Sequence, residues 1–90
     1  MKPYIDEHID ENTWIRTFDP DVTNSEEYVW HRDKNDRFIT VLEGEGWMFQ
    51  FDDELPKNIN ITEMLFIPKM MYHRLIKGKT ELRIKIHEKV

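Results

Sequence analysis

The stretch Arg37-Phe38-Ile39-Thr40-Val41-Leu42-Glu43-Gly44-Glu45-Gly46-Trp47-Met48-Phe49-Gln50-Phe51 decides the fold class. Its first half is β-branched, aromatic and apolar on both faces, as expected for a central strand covered on two sides. Gly44-Glu45-Gly46 then supplies the freedom in φ that a tight hairpin needs. The chain returns through Trp47, Phe49 and Phe51, which share one face because strand side chains alternate with period two.

The same pattern continues toward the C-terminus. Asp52-Asp53 and Leu55-Pro56 mark a turn, and Asn58 to Ile61 alternates as a short strand. After Thr62-Glu63, Met64 to Ile67 reads as a buried strand that stops at Pro68, which has no N–H for a ladder. Pro68 to Met71 connects to a strand from Tyr72 to Lys77. Gly78 marks a hairpin, and Leu82, Ile84 and Ile86 then alternate with Arg83, Lys85 and His87, a last strand with one wet face.

Toward the N-terminus, Lys34-Asn35-Asp36 is a charged turn. Glu26 to Arg32 reads as a strand with Val29, His31 and Asp33 on one side and Tyr28, Trp30 and Arg32 on the other. Tyr28, Trp30 and Phe38 are expected on a packing surface away from the interior. Thr13 to Phe18 is a strand anchored by Trp14 and Phe18, and residues 1–12 form an arm or an edge strand. The sum is one all-β domain over residues 1–90, an antiparallel barrel or sandwich of short strands with no window of helical period.

Composition narrows the partners. The net charge is −5, which disfavours nucleic acid and anionic membrane surfaces, because phosphate contacts need an excess of Lys and Arg. There is no cysteine, so disulfides and thiolate metal sites are excluded. The acidic start, with Asp6, Glu7, Asp10 and Glu11, is no secretory signal, and no apolar run is long enough for a membrane span. The expectation is a soluble, cytoplasmic protein. A chain of 90 residues has a modest core, so a homodimer burying apolar surface is expected as well.

Two polar clusters stand beside strands: His31 to Arg37, and Pro68 to Arg74. Their spacing resembles the two motifs of the cupin family of small β-barrels. Ser25 stands for the opening glycine of the first motif, His31 for its first histidine, Asp33 for its second and Arg37 for its glutamate, and Gly44 closes it in register. In the second motif Thr62 stands for the opening glycine, Pro68 matches, Met70 replaces the inner glycine, His73 falls on the histidine and Lys77 stands for the asparagine. The resemblance implies a small antiparallel cupin-like β-barrel, the double-stranded β-helix or jelly roll.

The resemblance also implies a site. A cupin metal centre uses three histidines and a glutamate. Here His31, Asp33 and His73 are the candidate ligands, a two-His, one-carboxylate set that suits one divalent ion of iron, manganese, nickel or zinc. Arg37 cannot ligate, since its guanidinium stays protonated. It is expected to pair with Asp33 or Asp36, or to receive an anionic ligand through its forked donors. Two roles are therefore open to Asp33, metal ligand or acceptor for Arg37. Trp47, Phe49 and Met71 are candidate ligand-binding walls, the last as part of a lid. The reading is a pocket at His31, Asp33, Arg37 and His73 for a small molecule, on the lines of cupin oxygenases and isomerases. Two alternatives stand beside it. One is a non-enzymatic module for an anionic metabolite, the other an interaction protein whose pocket is filled.

Overall fold

The computed structural model describes residues 4–90. Residues 1–3 of the expected N-terminal arm lie outside them. The strands are β1 (Tyr4–Asp10), β2 (Thr13–Phe18), β3 (Asp36–Glu43), β4 (Met48–Phe51), β5 (Lys57–Asn58), β6 (Met64–Ile67), β7 (His73–Ile76) and β8 (Leu82–Lys89). They form a five-stranded sheet of order β1-β2-β8-β3-β6 and a three-stranded sheet of order β5-β4-β7. All pairings are antiparallel. The core between the sheets draws Trp14, Phe18, Ile39, Val41, Ile84 and Ile86 from the larger and Phe49 and Leu75 from the smaller. Among the described residues no continuous ladder closes the two sheets into one barrel. Among the described residues no helix is long and apolar enough to cross a membrane.

Alternation explains most of the core. Leu82, Ile84 and Ile86 are buried, while Lys85 and His87 face water, as expected for β8. Trp14 and Phe18 are buried from β2, and Trp47 follows the Gly44–Gly46 turn into the core. Fully burying one large apolar side chain stabilises by about 1.5–3 kcal/mol. Gly44, at φ +150°, leaves no room for a side chain, because a Cβ there would meet Leu82 Cδ1 at 2.7 Å.

Three expectations are corrected and a fourth is narrowed to one of its alternatives. β3 is covered on one face only. Its outward Phe38 is 38% exposed beside Phe66 at 48%, because none of the described residues covers that side of the sheet. The segment from Glu26 to Arg32 is no strand: Glu26–Tyr28 is a 3-10 turn capped by the Ser25 hydroxyl, which accepts from the Glu27 N–H. Period-two alternation therefore fails there, and Tyr28 turns inward onto Phe18 and Trp47 instead of outward. Of the Asn58–Ile61 strand only Asn58 lies in a ladder, in Lys57–Asn58. Residues 1–12 prove to hold an edge strand, β1, which takes its hydrogen bonds from β2 on one side only.

Among the described residues two non-glycine residues have positive φ, Thr62 at 72° and Met70 at 64°. These are the two second-motif positions where the cupin pattern carries glycine. The backbone keeps the glycine conformation although the residue has changed.

Candidate metal centre and cavity

The two polar clusters converge, and the backbone does the joining. His31 and His73 exchange both N–H···O=C bonds, at 3.0 and 2.9 Å, as an antiparallel bridge on the edge of β7. The Met70 N–H donates to the Asp33 carbonyl at 2.7 Å, and the Lys69 N–H to Asp36 Oδ1 at 2.7 Å. Asp36 is thus occupied with the turn after β6, and it is not the partner of Arg37.

The bridge sets the two imidazoles edge to face, with ring centroids 4.3 Å apart. Each Nδ1 lies 2.8 Å from a backbone carbonyl, that of Val29 for His31 and that of Met71 for His73. A carbonyl only accepts, so each Nδ1 carries the proton and donates it. Both Nε2 atoms are left for the cavity. Donation of the far ring N–H is the usual support of a metal-ligating histidine. His31, Asp33 and His73 each offer one ligand atom within 4.8 Å of the others, a group that could hold a metal ion. Phe49 stacks on His73 and fixes the ring plane from below.

Charges surround this group. Asp33 Oδ2 is 3.2 Å from His73 Nε2, and Asp33 Oδ1 is 3.5 Å from Arg37 Nη1. Arg37 Nε donates to Glu88 at 3.2 Å, and its guanidinium lies over Trp14. The expected pairing of Arg37 with Asp33 is present, with Glu88 as an unforeseen second partner. Asp33 therefore faces both of its candidate roles at once.

Two further residues escaped the sequence reading. Arg16 is buried and clamped by Asp6, Nε to Oδ1 at 2.8 Å and Nη2 to Oδ2 at 3.0 Å. Its Nη1 donates to Glu27 Oε1 at 3.2 Å, and Glu27 Oε2 sits 3.1 Å from His31 Nε2. Arg16 had a signal: it shares a face of β2 with Trp14 and Phe18, the anchors of that strand. Glu27 had none, since its position depends on the 3-10 turn.

These contacts tune the titrating groups. Burial works against the charged form of Asp33, but His73 and Arg37 outweigh it and hold the carboxyl below its ordinary range. Burial likewise opposes ionisation of Glu27, and His31 and Arg16 reverse that. For His31 burial would lower the pKa, yet Glu27 and the Val29 carbonyl raise it overall. The field that draws a proton to His31 also draws a cation.

The cavity beneath is small, about 50 Å³. At about 10–15 Å³ per water it has room for a few waters or a molecule of few atoms. Arg16, Glu27, His31, Asp33, Arg37 and His73 form its polar end, and Phe18, Ile39, Phe49, Leu65 and Leu75 are among its apolar walls. Of the expected walls Phe49 lines it; Trp47 and Met71 do not. Trp47 is committed to the core and donates its Nε1–H to the Thr80 carbonyl at 2.7 Å. The open, polar-ended cavity counts against the reading of a filled pocket.

No protein-family model matches the sequence, and no curated protein matches it significantly. Solved structures do match. A cupin-2 domain protein from Shewanella frigidimarina superposes with a TM-score of 0.64 at 23% identity, over 92% of this chain and 76% of that one. A cupin domain protein from Bordetella pertussis gives 0.64 at 16% identity, over 100% and 98% of the two chains. The fold is a cupin fold. Protein NMB1881 from Neisseria meningitidis is similar as well, with a TM-score of 0.65 at 18% identity over 97% of this chain and 82% of that one. On this cupin fold, His31, Asp33 and His73 stand together at the polar end of the cavity, and the glutamate position of the motif carries Arg37.

Proposed function

We propose that this chain binds a small anionic molecule beside one divalent metal ion held by His31, Asp33 and His73. The observation that carries the reading is the pair of Nδ1–H donations to Val29 and Met71, which leaves both Nε2 atoms free of a backbone partner in a group with Asp33 whose ligand atoms all lie within 4.8 Å. His31 Nε2 and Asp33 Oδ2 are buried without an aligned hydrogen bond, so the protein leaves them to another partner. One separation also suits coordination. Ligand atoms sharing an ion at ~2.0–2.2 Å stand ~3.0–3.5 Å apart, the range of the His73–Asp33 contact. Nitrogen and carboxylate donors fit iron, manganese, nickel or zinc.

When bound, the metal supplies Lewis acidity toward an oxygen of the small molecule. The chain supplies the rest. Arg37 lines the cavity and suits a carboxylate or similar anion, since of its nitrogens only Nε is in an aligned hydrogen bond, to Glu88. The aliphatic walls and Phe49 take an apolar body and keep water from it. Trp14 and Glu88 hold Arg37 in place. Whether a reaction of the oxygenase or isomerase kind follows depends on the ligand, because one fold hosts many chemistries.

The test is metal analysis of protein made without a histidine tag, with a His31→Ala, His73→Ala pair as control. One metal per chain, lost in the pair, is the expected result. Trace metal in both refutes the reading and leaves a metal-free anion-binding module, in which the same cavity binds through Arg37. For assembly we propose a homodimer that covers the outer face of β3 and β6, where Phe38, Phe66 and Met64, the last at 70% exposure, lie together.

A further inference from the structure

We propose that the outer face of the His31–His73 bridge docks an extended acidic peptide segment of a partner protein, held by Arg32 and Arg74. It does so independently of any metal at His31, Asp33 and His73, because this face is turned away from the cavity.

The register builds the face. His31 and His73 pair antiparallel, so Trp30 stands opposite Arg74 and Arg32 opposite Tyr72. Both histidines line the cavity, and alternation turns these four neighbours outward. The side chains meet as the register requires. The guanidinium carbon of Arg74 lies 4.7 Å from the centre of the Trp30 ring, and that of Arg32 lies 5.2 Å from the centre of the Tyr72 ring. Trp30 is 43% and Tyr72 41% exposed, so the quartet is open to a partner.

Three observations say what it takes. First, the two guanidiniums lack carboxylates. Arg16, Arg37 and Arg83 each pair with an acid, but among the described residues Arg32 and Arg74 pair with none. Asp52 donates its N–H to the Tyr72 carbonyl, yet its carboxylate forms no ion pair with either arginine.

Second, Arg74 is aimed. Its Nε donates to Gln50 Oε1 at 2.9 Å and its plane is held at Trp30, while neither Nη has a partner among the described residues. Those two nitrogens suit a carboxylate. A side chain already held in place loses less freedom on binding. Trp, Tyr and Arg are also the residues enriched where protein interfaces bind most strongly.

Third, the backbone edge is open. His31 spends its N–H and C=O on His73, so those of Trp30 and Arg32 point the other way. None of these four groups bonds to another described residue. An extended chain laid there adds a strand, and its alternate side chains come onto the face of the quartet. Acids at every second position then reach the guanidiniums. Single-stranded nucleic acid fits less well, because each ring already carries a guanidinium and the net charge of −5 repels a run of phosphates.

The test is fluorescence anisotropy of a short labelled peptide of alternating Glu and Thr, titrated with the full chain. Saturable binding by wild type is expected. Arg32→Gln and Arg74→Gln should each weaken it at least about fivefold, and so should Trp30→Ala. Arg83→Gln removes a positive charge from the other sheet and should leave binding unchanged. A peptide of alternating Gln and Thr lacks the charges, and the Glu and Thr peptide N-methylated throughout lacks the N–H groups of a strand. Each should bind at least about tenfold more weakly. The inference is overturned if wild type does not bind the Glu and Thr peptide, or if the uncharged or the N-methylated peptide binds equally well. It is also overturned if oligothymidine binds more tightly, or if Arg83→Gln weakens binding as much as Arg32→Gln and Arg74→Gln do.

Discussion

Replacing Thr62 by glycine should stabilise this protein. Thr62 holds φ at 72°, a conformation that β-branched residues rarely adopt. Left-handed backbone costs an L-residue about 1–2 kcal/mol. Glycine escapes that cost but loses about 0.5–1 kcal/mol through its freer unfolded chain. The Thr62 side chain is exposed, so no packing is lost, and its N–H keeps the 2.8 Å bond to the Val41 carbonyl. The balance is a gain of about 0.5–1 kcal/mol, or about 2–8 °C in Tm for a domain of this size. Thermal and urea unfolding of Thr62→Gly and Thr62→Ala against wild type measure it. Alanine still pays for the left-handed backbone, so it should gain little. A Tm for Thr62→Gly at or below wild type, or an equal rise in Thr62→Ala, would refute the reasoning. Met70→Gly at φ 64° relieves the same strain but gives up the contacts of a large apolar side chain that is 48% exposed, so its gain should be smaller.

Three further outcomes are expected. In metal-free protein the His31 pKa is raised, so its share of stability is present below its ordinary value and is lost as pH rises through the folded one; Glu27 and Asp33 are lowered, so theirs is present above their ordinary values and is lost as pH falls through the folded ones. The Tm of the stripped protein should therefore peak between about pH 4.5 and 6.5 and decline above, and a Tm still rising from pH 6.5 to 8 contradicts the His31–Glu27 pairing. Arg16→Met should cost about 2–3 kcal/mol by leaving Asp6 and Glu27 unpaired, discounted because Asp6 reaches water. Adding Glu27→Gln should recover part of that loss in urea unfolding, and strictly additive losses would mean that the two residues are not coupled. Light scattering should give the mass of two chains, and Phe38→Lys with Phe66→Lys should halve it; a wild-type monomer at micromolar concentration removes the dimer.

How far the sequence could be read depends on the range of the interaction. Leu82, Ile84 and Ile86, the Gly44–Gly46 hairpin and the stop at Pro68 follow from local rules, alternation and allowed φ, and these hold in the structure. The pairing of His31 and Asp33 with a distant His73 was legible because motif spacing carries register along the chain. Glu27 was not legible: one hydroxyl cap at Ser25 turns strand into 3-10 turn, and alternation then points the wrong way. Nor did β2 announce its partner for Arg16, since an ion pair to Glu27 is made across space, between segments that only the packed sheets bring together. The sequence by itself determined most of the strands, the cupin-like register and the place of the candidate ligands. Only the tertiary structure decided which charges surround them, because electrostatic partners are set by distance in the fold and not by position in the chain.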